Sequence, residues 1–206
     1  DVCSSDLSDL GGHEKFKAAD LADLAQVEAV CEGVDGILHF GGYSVEGSWD
    51  AILQANIIGG YNLFEAARKQ GVKRVIFASS NHAVGFYPRH HRIGTDVTAR
   101  PDSRYGVSKV FGEGVGALYA DKHGIKVTCI RIGNFGEAPL DHRRLSIWLK
   151  PEDLVQLCRI GLEHPDIHFE VLYGASYNER SWWDNHRAYD LGYRPTGRGE
   201  DRSEEH

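Results

Sequence analysis

The chain has 206 residues, of which 41% are hydrophobic and 26% charged, with a formal net charge of −7. That is an ordinary globular composition, long enough to bury a core in one domain or a little more. The acidic balance argues against a nucleic-acid partner, and no apolar stretch approaches the ~20 residues that span a bilayer.

In chain order, Lys15 to Ala19 reads as a strand. Leu21 to Cys31 reads as an amphipathic helix, with Leu21, Leu24, Val27, Val30 and Cys31 at helical spacing, stopped by Gly33. Ile37 to Phe40 is a strand that ends in the tight Gly41-Gly42 turn. A long helix runs from about Trp49 to Gln70 and closes at Gly71. Lys73 to Ala78 is an apolar run of the kind found in buried parallel strands. Residues 81–104 are polar and punctuated by Pro and Gly, a loop. Tyr105 to His123 is a helix closed by Gly124, and Lys126 to Ile132 a strand. Gly133 to Arg144 is a loop suited to holding substrate. Pro151 to Glu163 is a helix whose first turn carries Pro and Glu, as helix starts favour. Phe169 to Tyr173 is a last strand. Residues 196–206 read as a frayed, charged tail. Alternating strands and helices predict parallel βαβ units in a doubly wound α/β domain. That domain spans 1–195, with small substrate-binding elements from the loops at 81–104, 133–150 and 174–194.

Chemistry concentrates in Tyr105-Gly-Val-Ser-Lys109. Positions i and i+4 share a helix face, so both side chains can enter one pocket. A phenol has an ordinary pKa of about 10, and an adjacent ammonium is expected to lower it. Such a pair can take a proton from an alcohol while hydride leaves the same carbon. Ser79 and Ser80 close the strand upstream, where open α/β sheets bind ligands. The alternative for these serines is local satisfaction of backbone groups.

Four cysteines, Cys3, Cys31, Cys129 and Cys158, fit neither zinc spacing nor a dense disulfide framework. Cys129 and Cys158 read as buried thiols, and a reducing, cytoplasmic setting follows as the expectation. The scattered histidines, His90 and His91 included, lack ligand spacing, so no metal is assigned. Trp182 and Trp183 read as core.

Several strings in order carry a resemblance: Asp35-Gly-Ile-Leu-His-Phe-Gly-Gly42, Ser79-Ser-Asn-His82, Gly85-Phe-Tyr-Pro88, Tyr105-Gly-Val-Ser-Lys109, Arg131-Ile-Gly133, Leu145-Ser-Ile-Trp148 and Trp182-Trp-Asp-Asn185. From about Asp20 to about Pro195 the chain resembles the extended short-chain dehydrogenases, the NAD-dependent epimerase/dehydratase family, and within it the branch that oxidises uronic acids. The resemblance implies a Rossmann-like sheet and NAD as cofactor, with NADP left open. It implies Tyr105, Lys109 and Ser80 as the catalytic set. Asp20 and Leu21 would meet the adenine end of the cofactor, with Tyr105 and Lys109 near its ribose. Ser44, Ser80, Asn81, His82, Tyr105 and Asn134 would face the sugar, and Arg143 its carboxylate, with Arg144 a close competitor. Asn134 departs from the branch, which has a serine there, and leaves the sugar open. A homodimer on the helices at Asn56–Ala67 and Tyr105–Tyr119 is implied as well.

The implied reaction is oxidation of a hexuronic acid at C1 to an aldarolactone. A sugar epimerase or reductase of the same family is the alternative enzyme, and a non-catalytic nucleotide-binding module the alternative from another class. The sequence contains no methionine, and the family's first strand with its Gly-x-x-Gly-x-x-Gly turn is not found. The chain is therefore expected to be N-terminally incomplete, lacking the first βα unit, and to bind NAD weakly. Whether residues 1–10 are native stays open.

Overall fold

A computed structural model describes residues 12–139 and 141–201, with the backbone alone at 142 and 143. Four parallel strands form the main sheet: β1 (Gly36–His39), β2 (Arg74–Ser80), β3 (Lys126–Ile132) and β6 (Phe169–Gly174), in the order β1-β2-β3-β6. The register sets Val75 beside Val127 and Cys129 beside Val171. A two-stranded parallel ribbon, β4 (Asn134–Phe135) with β5 (Trp148–Leu149), lies beyond the end of β3.

Helices cover both faces of the sheet. On one face lie α1 (Leu24–Cys31), α3 (Gly59–Lys69) and α4 (Arg104–His123), meeting β2 and β3 around Val27, Phe64, Phe77, Val115, Val127 and Cys129. On the other lie α6 (Pro151–Glu163) and α7 (His186–Asp190), packed through Leu157 and Ala188, with Tyr193 just past α7, onto Ile76, Ile130 and Leu172 of the sheet. Phe64 and Ile76 are both fully buried; burying one such side chain contributes about 1.5–3 kcal/mol. The doubly wound architecture is therefore as expected.

Local chemistry explains the helix limits. Asp23 caps α1, its carboxylate accepting from the backbone N–H of Ala25 and Gln26, so the helix begins at Leu24 rather than Leu21. Ser103 caps α4 by accepting from Gly106 N at 2.9 Å, and Gly124 ends it in the left-handed conformation, φ 71°. α6 opens on Pro151, which suits a first-turn position because no N–H is lost there. The helix expected from Trp49 to Gln70 is present in three pieces. These are α2 (Trp49–Ile52), a wide π-helical stretch (Leu53–Ile58) and α3.

Three expectations change. Lys15–Ala19 is not a strand; among the described residues it has no neighbouring ladder, and a strand needs one. Gly133–Arg144 is not wholly loop, since β4 and the short α5 (His142–Leu145) fall within it. Thr196 and Gly197, expected to open a frayed tail, are held by the fully buried carboxylate of Asp153. Thr196 N donates to Oδ1 at 2.7 Å and Gly197 N to Oδ2 at 2.9 Å. Residues 202–206 and Cys3 lie outside the described residues. Trp183 is core, stacked on Tyr173 with centroids 4.6 Å apart.

Candidate active site

The carboxyl ends of β1, β2 and β3 open into one cleft with a volume of about 640 Å³. Its walls carry Ser44 from the turn after β1, Ser80, Asn81 and His82 from the end of β2, Tyr105 and Lys109 from α4, and Asn134 and Arg144 from the segment after β3. Most of the residues expected at the sugar and at the reacting carbon are thus brought together. A four-residue 3-10 turn, Asn81–Val84, follows β2 directly and aims Asn81 and His82 at the cleft.

α4 reaches the sheet closely because Gly112 faces Phe77. A methyl group at Gly112 would stand 2.1 Å from the Phe77 ring. This approach brings Lys109 within 2.8 Å of the Ala78 carbonyl, to which its ammonium donates. The same ammonium lies 5.3 Å from the Tyr105 ring centroid and 5.2 Å from that of Phe77. Lys109 is buried, and burial lowers its pKa to about 8. His39, at the end of β1 and stacked on Phe77, is lowered to about 4 by burial and then by the Lys109 charge.

The phenol of Tyr105 does not behave as the sequence suggested. Burial raises its pKa above the usual value, and a hydrogen bond with the Ser80 hydroxyl offsets part of that rise. Desolvation of the phenol outweighs any lowering from its neighbours, Lys109 included.

The supports of the site were not legible in the sequence. Asn56, in the π-helical stretch, accepts from Tyr43 N at 2.7 Å and donates to Tyr43 O and to Ser108 Oγ, each at 2.9 Å. It thereby ties the turn after β1 to α4. Glu46 accepts from Tyr105 N at 3.0 Å and from Arg104 Nε at 2.7 Å, a carboxylate placed at the positive end of α4. Beneath Ser80, Ser79 donates to Glu113 Oε1 at 2.6 Å, and Arg131 binds the same carboxylate through Nε (2.8 Å) and Nη2 (2.9 Å). All three are buried. The advance signals were the Ser79-Ser-Asn-His82 and Arg131-Ile-Gly133 strings.

Asp20 and Leu21 do not line this cleft. Asp20 accepts from Ala22 N at 2.9 Å, and the Leu21 carbonyl accepts from Asn62 Nδ2 at 2.9 Å. The Leu21 side chain does lie against the Gly41 turn that borders the cleft. Arg143 has its backbone in α5, and its side chain lies outside the described residues. Its neighbour Arg144 reaches the cleft wall, about half exposed, 3.5 Å from Asp141.

Residues 2–166 match the model of the NAD dependent epimerase/dehydratase family, and the chain belongs to that family. It is 50% identical over 185 residues to the uronate dehydrogenase of Pseudomonas putida, an overlap that covers 90% of this chain and 69% of that protein. The crystal structure of glucuronic acid dehydrogenase from Chromohalobacter salexigens superposes with a TM-score of 0.94 at 48% identity, covering 97% of this chain and 75% of the other. A mutant uronate dehydrogenase from Agrobacterium tumefaciens, complexed with NAD, gives 0.90 at 45% identity, covering 93% and 72%. Among the described residues no helix is long and apolar enough to cross a membrane.

Proposed function

We propose that this chain is the catalytic core of an NAD-dependent uronate dehydrogenase, oxidising glucuronate or galacturonate at C1 to the aldarolactone. The observation that carries it is the convergence of Ser80, Tyr105 and Lys109 with Asn81, His82 and Arg144 on one cleft, in a chain half identical to uronate dehydrogenases.

The residues present suit NAD. Lys109 has three donors, and among the described residues its one hydrogen bond goes to Ala78, which leaves donors for ribose hydroxyls beside Tyr105. Asp20 and Leu21 would serve the adenine end. When bound, NAD accepts the hydride released from C1.

The protein's own part is proton handling and orientation. Ser80 holds the C1 hydroxyl oxygen, and Tyr105, hydrogen-bonded to Ser80, takes its proton as the carbon–oxygen double bond forms. Ser44, Asn81, His82 and Asn134 orient the ring hydroxyls. A guanidinium from α5 holds the C6 carboxylate through its planar fork; Arg143 was expected there, and the wall position of Arg144 supports that neighbour. Ordering these groups, with no covalent step, supplies the acceleration.

A cytoplasmic setting suits Cys31, Cys129 and Cys158, all buried as free thiols. A homodimer is supported by outward apolar residues on α3 and α4: Tyr61, Val107 and Leu118 are about half exposed.

The deciding assay follows NADH formation by the protein carrying this chain with glucuronate, galacturonate and glucose. Turnover confined to the uronates is expected. Epimerisation of a sugar nucleotide without net NADH, and no uronate oxidation, would replace this reading by the epimerase alternative.

A further inference from the structure

His82 and Asp102 meet at the rim of the cleft, with Nδ1 2.8 Å from Oδ1. A carboxylate offers only acceptors, so this contact is a donation from Nδ1–H, and in the neutral ring Nε2 is then an acceptor. The His82 ring stands edge-on to Tyr105, centroids 5.7 Å apart, and lines the cleft wall.

Asp102 is itself held in place from three directions. Its backbone N–H donates to the His82 carbonyl at 3.3 Å. Its Oδ1 also accepts from Ser103 Oγ at 3.2 Å, and Ser103 is the cap of α4, the helix that carries Tyr105. Its Oδ2 lies against Gly85, where an added methyl group would sit 2.0 Å away. The carboxylate occupies space that a side chain at position 85 would take, which gives the Gly85 string a physical reason.

We propose that Asp102 is a positioning residue that fixes His82 in the Nδ1–H tautomer, so that Nε2 accepts a hydrogen bond from a sugar hydroxyl in the cleft. The same carboxylate lies between His82, in the turn after β2, and Ser103, the cap of α4. The identity of the substrate rests on the uronate reading; the tautomer does not.

Two measurements separate those questions. Nitrogen-15 NMR of the histidine rings reads the tautomer without substrate: the wild type is expected to show a protonated Nδ1 and a bare Nε2 at His82. Asp102→Asn and, independently, Gly85→Ala should weaken that preference. In uronate kinetics Asp102→Asn should raise KM about tenfold with a smaller change in kcat, at the low end of the losses seen when the partner of a metal-binding histidine is removed. Because glutamine has no tautomers, Asp102→Asn should add no further loss in a His82→Gln background. A wild-type ring protonated at Nε2 overturns the proposal, as does an equal loss from Asp102→Asn in both backgrounds. If the wild type turns over no uronate, the functional reading falls and the NMR result still decides the tautomer.

Discussion

The Lys109 ammonium lies 5.3 Å from the centre of the Tyr105 ring, one helical turn away, and donates at 2.8 Å to the Ala78 carbonyl at the end of β2. One cation thus links α4 to the strand that carries Ser80. Its burial shapes both the chemistry and the stability of the site.

Tyr105→Phe should lower kcat at least a hundredfold with little change in melting temperature, since loss of a general base typically costs about 10²–10⁴-fold. Because burial raises the phenol above its usual pKa, wild-type kcat/KM should climb from neutral into alkaline pH. A variant that keeps more than about a tenth of wild-type kcat would rule Tyr105 out as the base.

The lowered pKa of Lys109 has a stability signature. The folded group titrates at about 8 against an ordinary 10.5, so between those values the unfolded chain binds more protons and stability rises with pH. The cost of burying the charge is fully present below pH 8 and is of order 3 kcal/mol at most. Lys109→Met should flatten that rise and stabilise the protein at pH 7 while abolishing turnover. Denaturant titrations at pH 7 and near pH 10 check both points. A pH slope unchanged in the variant would assign the titration to another group.

Arg144→Ala should raise KM for glucuronate far more than any residual activity on a neutral sugar changes. Arg143→Ala, assayed beside it, decides between the neighbours. Equal losses on charged and neutral sugars from both variants would mean that neither reads the carboxylate.

Glu113 and Arg131 form a buried pair, with side chains 9% and 4% exposed. Glu113→Gln leaves the guanidinium without its counter-charge and should cost about 3–5 kcal/mol. Glu113→Leu with Arg131→Met should cost much less, because no lone charge remains. A Glu113→Gln variant within 1 kcal/mol of wild type would show that water reaches the pair.

The dimer expectation is now narrower. Leu63, Phe64 and Val115, which lie on the two helices expected to form the interface, are core, whereas Tyr61, Val107 and Leu118 face outward. Light scattering at micromolar concentration should give twice the monomer mass, and Leu118→Glu should reduce it to the monomer. A monomeric wild type rejects the interface.

Apolar runs with sharp ends were legible: Lys126–Ile132 and Pro151–Glu163 stand as read, because a buried strand and a Pro-started helix leave local signals. Lys15–Ala19 was misread, since a strand is defined by its neighbour and not by its own residues. Asp102 and Glu46 were invisible for a related reason. Their partners lie 20 and 59 positions away, and neither aspartate nor glutamate announces a contact at that range. Arg143 and Arg144 are adjacent in one short helix, and nothing in the sequence marks which of them faces the cleft. The Tyr105–Lys109 spacing gave the right pairing and the wrong sign for the phenol, because sequence carries no measure of desolvation.

The π-helical stretch Leu53–Ile58 amounts to one residue inserted into an otherwise regular helix. Within it Asn56 holds the turn that borders the cleft, and after it the helix places Phe64 in the core. Removing one residue there would rotate everything downstream by about 100°, so that Asn56 and Phe64 could not both keep their places. Loops around the cleft can lengthen or shorten as substrates diverge. This helix cannot, and its length should be the most rigid dimension of the site under insertion and deletion scanning.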